Sequence, residues 1–529
     1  MSILSVEFLL FAVGLYLLYY LLPKKLQWYV LLVFSLGFYA LGGLRNLPFL
    51  LLTALTVWAA ARYIDRSAEE EKAFLKARKA ELSKEARAER KAAGKKARRR
   101  VLVLCVVCNL AVLCAFKYVH FLLAQANAVA GLFGGRVTDT IRWIVPLGIS
   151  FYTFQTVGYV CDVYWGRCRA ERNPLKVLLF TSFFPQITQG PISTWKDLSA
   201  ELFAPHTAEY RSFSFGAQRL IWGFFKKMVV ANILAGYVGK VFAGYAGYTG
   251  ITAFLGALCY SAQIYADFSG YMDIMCGLCQ MLGIRLTENF ERPYFSKSIA
   301  EYWRRWHISL GAWFKNYVYY PMAVSRWNQS LGRFAKKRMG KAFGSYLPAT
   351  VALVVVWLAT GLWHGASWAY VAWGGVNGLF IIFSMWMEKT YDRWKKRLHI
   401  NEASRLWVGF QVLRTFVLVT FIKVLPEVGS LADGFGLWKQ ILTNHTVPRS
   451  FGQLLPFVDT YRNLAAVLLG VGLMLAVSLL QRRRPVREWM QAHLPYPVRV
   501  LLFVALFFLI VYFGVPASGG LGGFLYAEF

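Results

Sequence analysis

Hydrophobic residues fall in blocks of about twenty along most of this chain, and short polar or basic segments separate the blocks. A helix of about twenty apolar residues is long enough to cross the hydrocarbon core of a bilayer. The pattern predicts spans at 3–22, 26–44, 48–64, 101–124, 143–163, 347–363, 405–425, 463–480 and 499–516. Between 177 and 325 the blocks are shorter and are interrupted by Pro and Gly, which favours re-entrant or broken helices.

These blocks predict an all-α polytopic membrane protein with roughly eleven or twelve transmembrane or re-entrant elements. The first block lacks a basic start and a small-residue cleavage site, so we expect a retained helix and not a signal peptide. We treat 1–529 as a single integral membrane domain whose motif-rich region covers 145–378. The composition agrees, because 57% of the residues are hydrophobic and only 16% are charged.

The formal net charge of +32 comes from basic clusters that lie between the hydrophobic blocks. They occupy 62–100, 165–176, 325–345, 388–397 and 481–487. Cytoplasmic loops of membrane proteins carry such an excess of Lys and Arg, so we expect both termini on the extracytoplasmic side. No folded basic face outside the membrane is evident, which argues against nucleic-acid binding and favours contact with anionic lipid headgroups. Residues 66–100 are typical of a solvated, basic, cytoplasmic helical hairpin.

Titratable residues inside apolar segments are the candidates for chemistry. Asp267 and Asp273 lie six residues apart in one such segment, where polar side chains mark function or an internal partner. We interpret them first as contacts between helices, or as partners of Arg304 or Arg305. A helical period from Ser298 to Tyr317 places His307 in the middle of an amphipathic helix.

The stretch TGLWHGASWAY, at 360–370, carries His364 between two apolar segments. Since the basic loop 325–345 is expected inside, the span at 347–363 places His364 towards the external side. The eight cysteines lie mostly in apolar segments and lack a matching set of metal ligands, so no metal site is predicted. GxxxxGK[ST] and GxSxG motifs are absent from the sequence, which weighs against nucleotide-driven transport and α/β-hydrolase chemistry.

Several long motifs in one order resemble the membrane-bound O-acyltransferase (MBOAT) family, and above all its bacterial alginate O-acetylation and teichoic acid D-alanylation subgroup. They are PLGISFYTFQ, FFPQITQGPI, QIYADFSGYMDI, NFERPYFSKSIAEYWRRWHISLGAWFKNYVYYP, TGLWHGASWAYVAWGGVNG and the terminal GGFLYAEF. The family often closes with an aromatic pattern that bears Gln, where this chain has Ala527 and Glu528, so the subgroup is less firmly indicated than the family.

The resemblance implies that His364 is catalytic and that His307 is the second family histidine. Histidine suits a base that takes a hydroxyl proton near neutral pH. The resemblance implies supporting or tunnel-lining roles for Asn289, Trp303, Arg304, Arg305, Trp306, Trp363, Trp368, Asp267 and Asp273. Indole N–H groups of Trp363 or Trp368, or backbone N–H groups beside Gly365, are candidate donors to the oxyanion. Arg304 and Arg305 would attract an anionic donor or, as readily, reach to the membrane interface.

We therefore expect helices ringed around a tunnel in which an acyl thioester from the cytoplasm meets an external hydroxyl. The donor is acetyl-coenzyme A or a phosphopantetheinyl carrier protein, and no tightly bound cofactor is expected. By resemblance, the partner is an extracytoplasmic SGNH-hydrolase-like acyltransferase in the envelope of a bacterial cell. Acetyl transfer is the first expectation, and D-alanyl transfer to teichoic acid or a non-catalytic export scaffold remain alternatives. A transporter would show inverted repeats, and the sequence has no such self-similarity.

Overall fold

The computed structural model describes residues 1–135, 137, 145–456, 460–482 and 484–516. Within these ranges the chain forms helices and turns and no β-strand, apart from one isolated bridge between Phe290 and Trp306. The terminal motif at 522–529, and with it the expected side of the C-terminus, lies outside the described residues. The start of the predicted 143–163 span also lies outside them.

The helices of the first half, in chain order, are α1 Val6–Leu21, α2 Gln27–Leu41, α3 Leu47–Ala77, α4 Lys84–Gly131, α5 Ile149–Tyr164, α6 Pro174–Ser182, α7 Phe184–Ile187, α8 Trp195–Leu202, α9 Tyr210–Phe225, α10 Asn232–Ala243 and α11 Gly250–Met281. Those that follow are α12 Ile299–Arg305, α13 Ile308–Phe314, α14 Tyr320–Ala323, α15 Arg326–Met339, α16 Lys341–His364, α17 Trp368–Arg397, α18 Arg405–Lys423, α19 Leu431–Thr443, α20 Phe451–Leu454, α21 Thr460–Leu480, α22 Val486–His493 and α23 Tyr496–Phe513. Two π-helical segments, Lys226–Ala231 and Lys315–Tyr319, follow α9 and α13.

Eight of the described helical segments are long and apolar enough to cross a membrane. They are Leu44–Ala77, Lys84–Gly131, Tyr210–Ala243, Lys341–His364, Trp368–Arg397, Arg405–Lys423, Tyr461–Leu480 and Tyr496–Phe513. Large apolar side chains cover their outer faces; on α23, for example, Leu501 and Val511 are each 65% exposed. Exposed apolar surface on this scale is stable only against lipid. The predicted all-α, multi-pass membrane architecture is therefore confirmed.

Contacts group most of the chain into two compact units. The first contains Ile3–Ser212 and Cys279–Leu286, and the second contains Phe213–Leu278 and Thr287–Phe529. All the candidate site residues named from the sequence lie in the second unit. The single domain predicted over 1–529 stays a prediction.

The first unit contains the helical hairpin expected in residues 66–100. It is built from the end of α3 and the start of α4, whose N-cap Ser83 accepts a hydrogen bond from the Ala86 N–H. Arg98 and Glu71 join the two helices through an ion pair of 3.0 Å. Capping and cross-helix pairing stabilise the hairpin where few apolar residues are available for a core.

The broken segment predicted at 183–193 is buried in the first unit. It forms the short helix α7 and then an irregular stretch, and Gln155 of α5 donates to Gln186 of this segment (3.2 Å) and to the carbonyl of Phe180 in α6 (3.0 Å). Gln186 in turn donates to the hydroxyl of Ser193 at 2.6 Å. Irregular backbone is tolerated at membrane depth where protein groups satisfy it, and here the Phe184 N–H donates to the hydroxyl of Ser35 at 3.3 Å.

Candidate active site

The site is built on the hairpin of α16 and α17, which pack closely because small residues line their contact. A Cβ atom on Gly361 would lie 2.4 Å from the carbonyl oxygen of Tyr370, and one on Gly374 would lie 2.4 Å from that of Trp357. Glycines at such positions let two membrane helices approach at backbone distance. The turn between the helices ends at Ser367, whose hydroxyl caps α17 by accepting from the Tyr370 N–H.

His364 is the last residue of α16 and is only 4% exposed. Its imidazole lies between two indoles, with ring centroids 4.9 Å from Trp363 and 4.9 Å from Trp373, both edge-on. The position at the C-terminal end of a helix favours positive charge, because the carbonyl dipoles of the last turn point towards it. This environment suits a base that becomes an imidazolium during the reaction.

The next residue is Gly365. A glycine is needed there because a side chain would not fit, and not because the backbone conformation demands one. Its backbone is extended, and a Cβ atom there would lie 2.1 Å from the ring of Tyr370. Tyr370 packs on this face and lines the cavity that contains His364. A side chain at 365 would therefore push the Tyr370 ring away from its place beside the histidine.

Gly365→Ala is expected to lower acyl transfer about 10- to 100-fold while the protein still folds, because displacing a wall of the site misplaces the reacting groups. The measurement is thioester consumption by detergent-purified protein. Gly375→Ala is the matched control, since the nearest atom to a Cβ there is 4.0 Å away. Equal activity of Gly365→Ala and Gly375→Ala would contradict the requirement for space at residue 365.

The structure breaks the predicted helix of 298–317 at His307, so the expectation of one continuous helix is wrong. α12 ends at Arg305, α13 starts at Ile308, and His307 between them has a left-handed backbone with φ of 49°. Asn289 stabilises the break, because its carbonyl accepts from Ile308 N–H at 3.1 Å and its side-chain oxygen accepts from Ser309 N–H at 2.9 Å. Asn289 thus caps α13, which gives this predicted supporting residue a defined position.

His307 points into a buried aromatic environment and is 1% exposed. Its ring centroid lies 4.9 Å from Phe268 and 5.9 Å from Trp363. His307 lies outside the eight candidate membrane spans. Burial lowers the pKa of its imidazole to about 3, so the ring is neutral near neutral pH. The fold therefore brings both predicted histidines, His307 and His364, against the same indole of Trp363.

A cavity opens beside His364. It is lined by Tyr260, Ile264, Trp303, Trp306, His364, Tyr370, Trp373, Lys423, Pro426 and Glu427. Of the residues predicted from the sequence, Trp303 and Trp306 share this cavity with His364, and the Trp303 indole donates to Asn377 at 2.9 Å. Sequence reasoning missed Lys423 and Glu427; a basic and an acidic residue at the end of an apolar block were the available signal.

Other predicted residues lie elsewhere. Trp368, proposed as part of the wall, is 56% exposed and does not line the cavity. Arg305 pairs with Glu301 one turn earlier on α12 at 2.6 Å, and Arg304 is exposed. Among the described residues, neither arginine pairs with Asp267 or Asp273, so that suggested pairing is wrong.

The two aspartates instead join α11 to the preceding membrane helix. Asp267 binds Lys227 at 2.5 Å, and Asp273 binds Arg219 at 2.8 Å and Lys226 at 2.6 Å. Each lysine and Asp267 keeps at most 5% of its side chain exposed. Charges at this depth are stable only when they are paired, so these contacts hold the helices together.

A second cavity lies beside the Asp273 pairs. It is lined by Arg219, Lys226, Asp273, Glu288 and Asn289, among others. Arg219 also pairs with Glu288 at 2.6 Å, so two cations face two carboxylates. These ion pairs balance the charges that line the second cavity, and the cavity beside His364 remains the candidate site.

Comparison with known proteins shows similarity to a family of membrane acyltransferases. Residues 170–425, which include both histidines, match the model of the membrane-bound O-acyltransferase family. A probable alginate O-acetylase AlgI of Pseudomonas aeruginosa is 35% identical over 348 residues, which cover 66% of this chain and 61% of that protein. A peptidoglycan O-acetyltransferase of Helicobacter pylori is 29% identical over 57% of each chain, and a teichoic acid D-alanyltransferase of Bacillus subtilis is 27% identical over 52% of this chain and 67% of its own. The chain spans about half to three fifths of the length of the alginate O-acetylases that it matches.

Proposed function

We propose that this chain, whose residues 170–425 match the model of the membrane-bound O-acyltransferase family, moves an acyl group from a thioester to a hydroxyl on a cell-envelope polymer or a partner protein. The observation that carries the proposal is the position of His364. It closes a helix in a buried aromatic cavity, where a base can act away from bulk water. Three proteins that are similar to this one are named for acyl transfer to alginate, peptidoglycan or teichoic acid.

In the proposed reaction, His364 takes the proton of the acceptor hydroxyl as its oxygen attacks the thioester carbonyl. The C–S bond then breaks, and the imidazolium returns the proton to the thiolate, so that an ester and a free thiol are formed. The end of α16 stabilises the imidazolium between these two steps. The rings of Trp303, Trp306 and Trp373 wall the cavity and keep out water that would hydrolyse the thioester.

We further propose acetyl as the acyl group, since two of the relatives named above are O-acetylases and the first is 35% identical. D-alanyl transfer is the second candidate, because a D-alanyltransferase is 27% identical. The donor is acetyl-coenzyme A or, for D-alanyl transfer, a phosphopantetheinyl carrier protein. The distribution of basic loops supports a donor on the cytoplasmic side of a bacterial membrane, His364 towards the external side and the N-terminus outside. An SGNH-hydrolase-like protein outside the membrane would complete transfer to the polymer.

The test uses the purified full-length chain in nanodiscs, with radiolabelled acetyl-coenzyme A and, separately, D-alanyl carrier protein as donors. We expect thioester consumption with one of the two, and label in the acceptor fraction when envelope polymer is supplied. Consumption with one donor identifies the acyl group. Absence of turnover with both donors, in folded protein supplied with its extracytoplasmic partner, would overturn the acyltransferase proposal in favour of an export scaffold.

A further inference from the structure

The indole of Trp303 forms a wall of the cavity that contains His364, and a hydrogen bond fixes its position. Trp303 belongs to α12 and lines this cavity. Its indole N–H donates to the side-chain oxygen of Asn377 on α17 at 2.9 Å. Asn377 is 2% exposed, and its amide N–H donates in turn to the carbonyl of Trp373 at 2.9 Å. Turning the indole away would leave a buried acceptor unsatisfied, which costs more than the hydrogen bond itself contributes.

Two further indoles pack edge-on against the ring of Trp303. Trp357 of α16 lies 5.1 Å away and Trp373 of α17 lies 5.5 Å away, measured between ring centroids. Trp357 rests on the backbone of α17, since a Cβ atom on Gly378 would lie 2.8 Å from the Cβ of Trp357. Protein interiors are closely packed, so a side chain that is supported in this way yields little. Trp303 is therefore a rigid wall.

This wall lies close to the histidine. Trp373 contacts both the imidazole of His364, at 4.9 Å, and the indole of Trp303, at 5.5 Å between ring centroids. All three side chains line one cavity, so an acyl group whose carbonyl lies beside His364 has little room before it meets Trp303. Bulky side chains of α11 and α12 also line the cavity, and they are Tyr260, Ile264 and Trp306.

We propose that Trp303, held in place by Asn377, limits the length of the acyl group, so that the site accepts a two-carbon acyl such as acetyl and rejects straight chains of four or more carbons. The inference rests on the proposed acyltransferase function and assigns part of its specificity to named residues. A longer chain would have to displace the indole or move its thioester carbonyl out of line with His364, and either change lowers the rate. Asn377 acts through Trp303 and is a positioning residue.

The test compares acetyl, butyryl and hexanoyl thioesters, each on coenzyme A and on the phosphopantetheinyl carrier protein. It uses the full-length chain in nanodiscs together with its extracytoplasmic partner, and D-alanyl carrier protein is a further substrate that reports acyl transfer by itself. One methylene group changes kcat/KM by about 10- to 200-fold in an apolar pocket. For the wild type we therefore expect kcat/KM to be at least about 100-fold lower for butyryl than for acetyl, and lower still for hexanoyl.

Two variants assign this limit to the indole and to the residue that holds it. Trp303→Leu should narrow the ratio of kcat/KM between acetyl and butyryl at least about tenfold, because it makes room for the longer chain. Asn377→Leu keeps a similar shape but removes the acceptor, and should narrow the ratio about threefold. A purely structural role of Asn377 would lower turnover of both thioesters equally and leave the ratio unchanged. Trp303→Phe is the milder second variant if Trp303→Leu does not fold.

Trp386→Leu is the matched control for Trp303→Leu. Trp386 lies on α17, and its indole N–H donates to the hydroxyl of Thr350 on α16 at 3.0 Å. The control therefore removes an indole and a hydrogen bond between helices, but not a residue that lines the cavity. Its ratio between acetyl and butyryl should equal that of the wild type.

Equal kcat/KM for acetyl and butyryl in the wild type would overturn the inference, as would an unchanged ratio in a folded, active Trp303→Leu. The same narrowing in Trp386→Leu would assign the effect to a general loosening of the helices and overturn it too. An unchanged ratio in Asn377→Leu would overturn the positioning role of Asn377.

Loss of all transfer in folded Trp303→Leu and Trp303→Phe would show that the indole is needed for the reaction itself and not for selecting the acyl group. Turnover of D-alanyl without turnover of acetyl would overturn the limit on acyl length but leave the acyltransferase function in place. Absence of turnover with every thioester would overturn the acyltransferase function, an outcome distinct from the others.

Discussion

Replacement of His364 by Gln is expected to lower kcat for acyl transfer by about 1,000-fold, within the range that a positioned general base contributes. Glutamine fills the space between Trp363 and Trp373 and can still form hydrogen bonds, but it cannot accept a proton at neutral pH. The loss should therefore fall on kcat, with little change in KM for the thioester. The measurement is steady-state thioester consumption by wild type and His364→Gln in the same nanodiscs.

His399→Asn is the matched control for this loss. His399 lies in the turn after α17 with φ of 50°, and asparagine tolerates this left-handed backbone. The control should retain wild-type kcat and KM, and both variants should give a single symmetrical peak on gel filtration. Full activity of a folded His364→Gln would remove the residue from the chemistry.

The membrane helices could be predicted because their lengths and apolar composition follow from the thickness of a bilayer. His364 could be singled out from the sequence because the motif around it is long and places a histidine and glycines between apolar segments; its catalytic role stays a prediction. The fold explains both: Gly361 and Gly374 bring α16 and α17 together, and His364 sits at the end of their contact. In this part of the chain, local sequence and tertiary structure agree.

The break at His307 could not be predicted from periodicity. Apolar positions continue at three- and four-residue steps on both sides of residue 307, so a helical pattern extends through a point where the backbone turns left-handed. The cause is distant in sequence, because Asn289 supplies the two acceptors for the N–H groups of Ile308 and Ser309, with which α13 starts. The ion-pair partners of Asp267 and Asp273 also depend on tertiary contacts that the sequence does not show. Arg304 and Arg305 were therefore wrongly suggested as partners of these aspartates. Lys423 was missed because a lone lysine at the end of an apolar block usually extends to the membrane interface.

The ion pair between Lys227 and Asp267 should carry the largest effect on stability. Both side chains are 2% exposed and their charged atoms are 2.5 Å apart. Removing one partner leaves an uncompensated charge in the protein interior, which destabilises proteins by about 3 to 5 kcal/mol. Lys227→Met is therefore expected to lower the free energy of unfolding by about that amount, measured by titrating the detergent-solubilised protein with SDS.

The double variant Lys227→Met/Asp267→Leu separates two contributions to the free energy of unfolding. One is the destabilisation by an unpaired buried charge, and the other is the net stabilisation by the ion pair. A buried ion pair replaced by apolar side chains of similar volume is often as stable as the original, because both desolvation penalties disappear together. The double variant should therefore recover most of the stability that Lys227→Met loses. Arg66→Met is the control, since its pair with Glu70 is 76% and 64% exposed and should contribute little to stability. A double variant as unstable as the single one would show that Lys227 stabilises the fold by packing, and not by compensating the charge of Asp267.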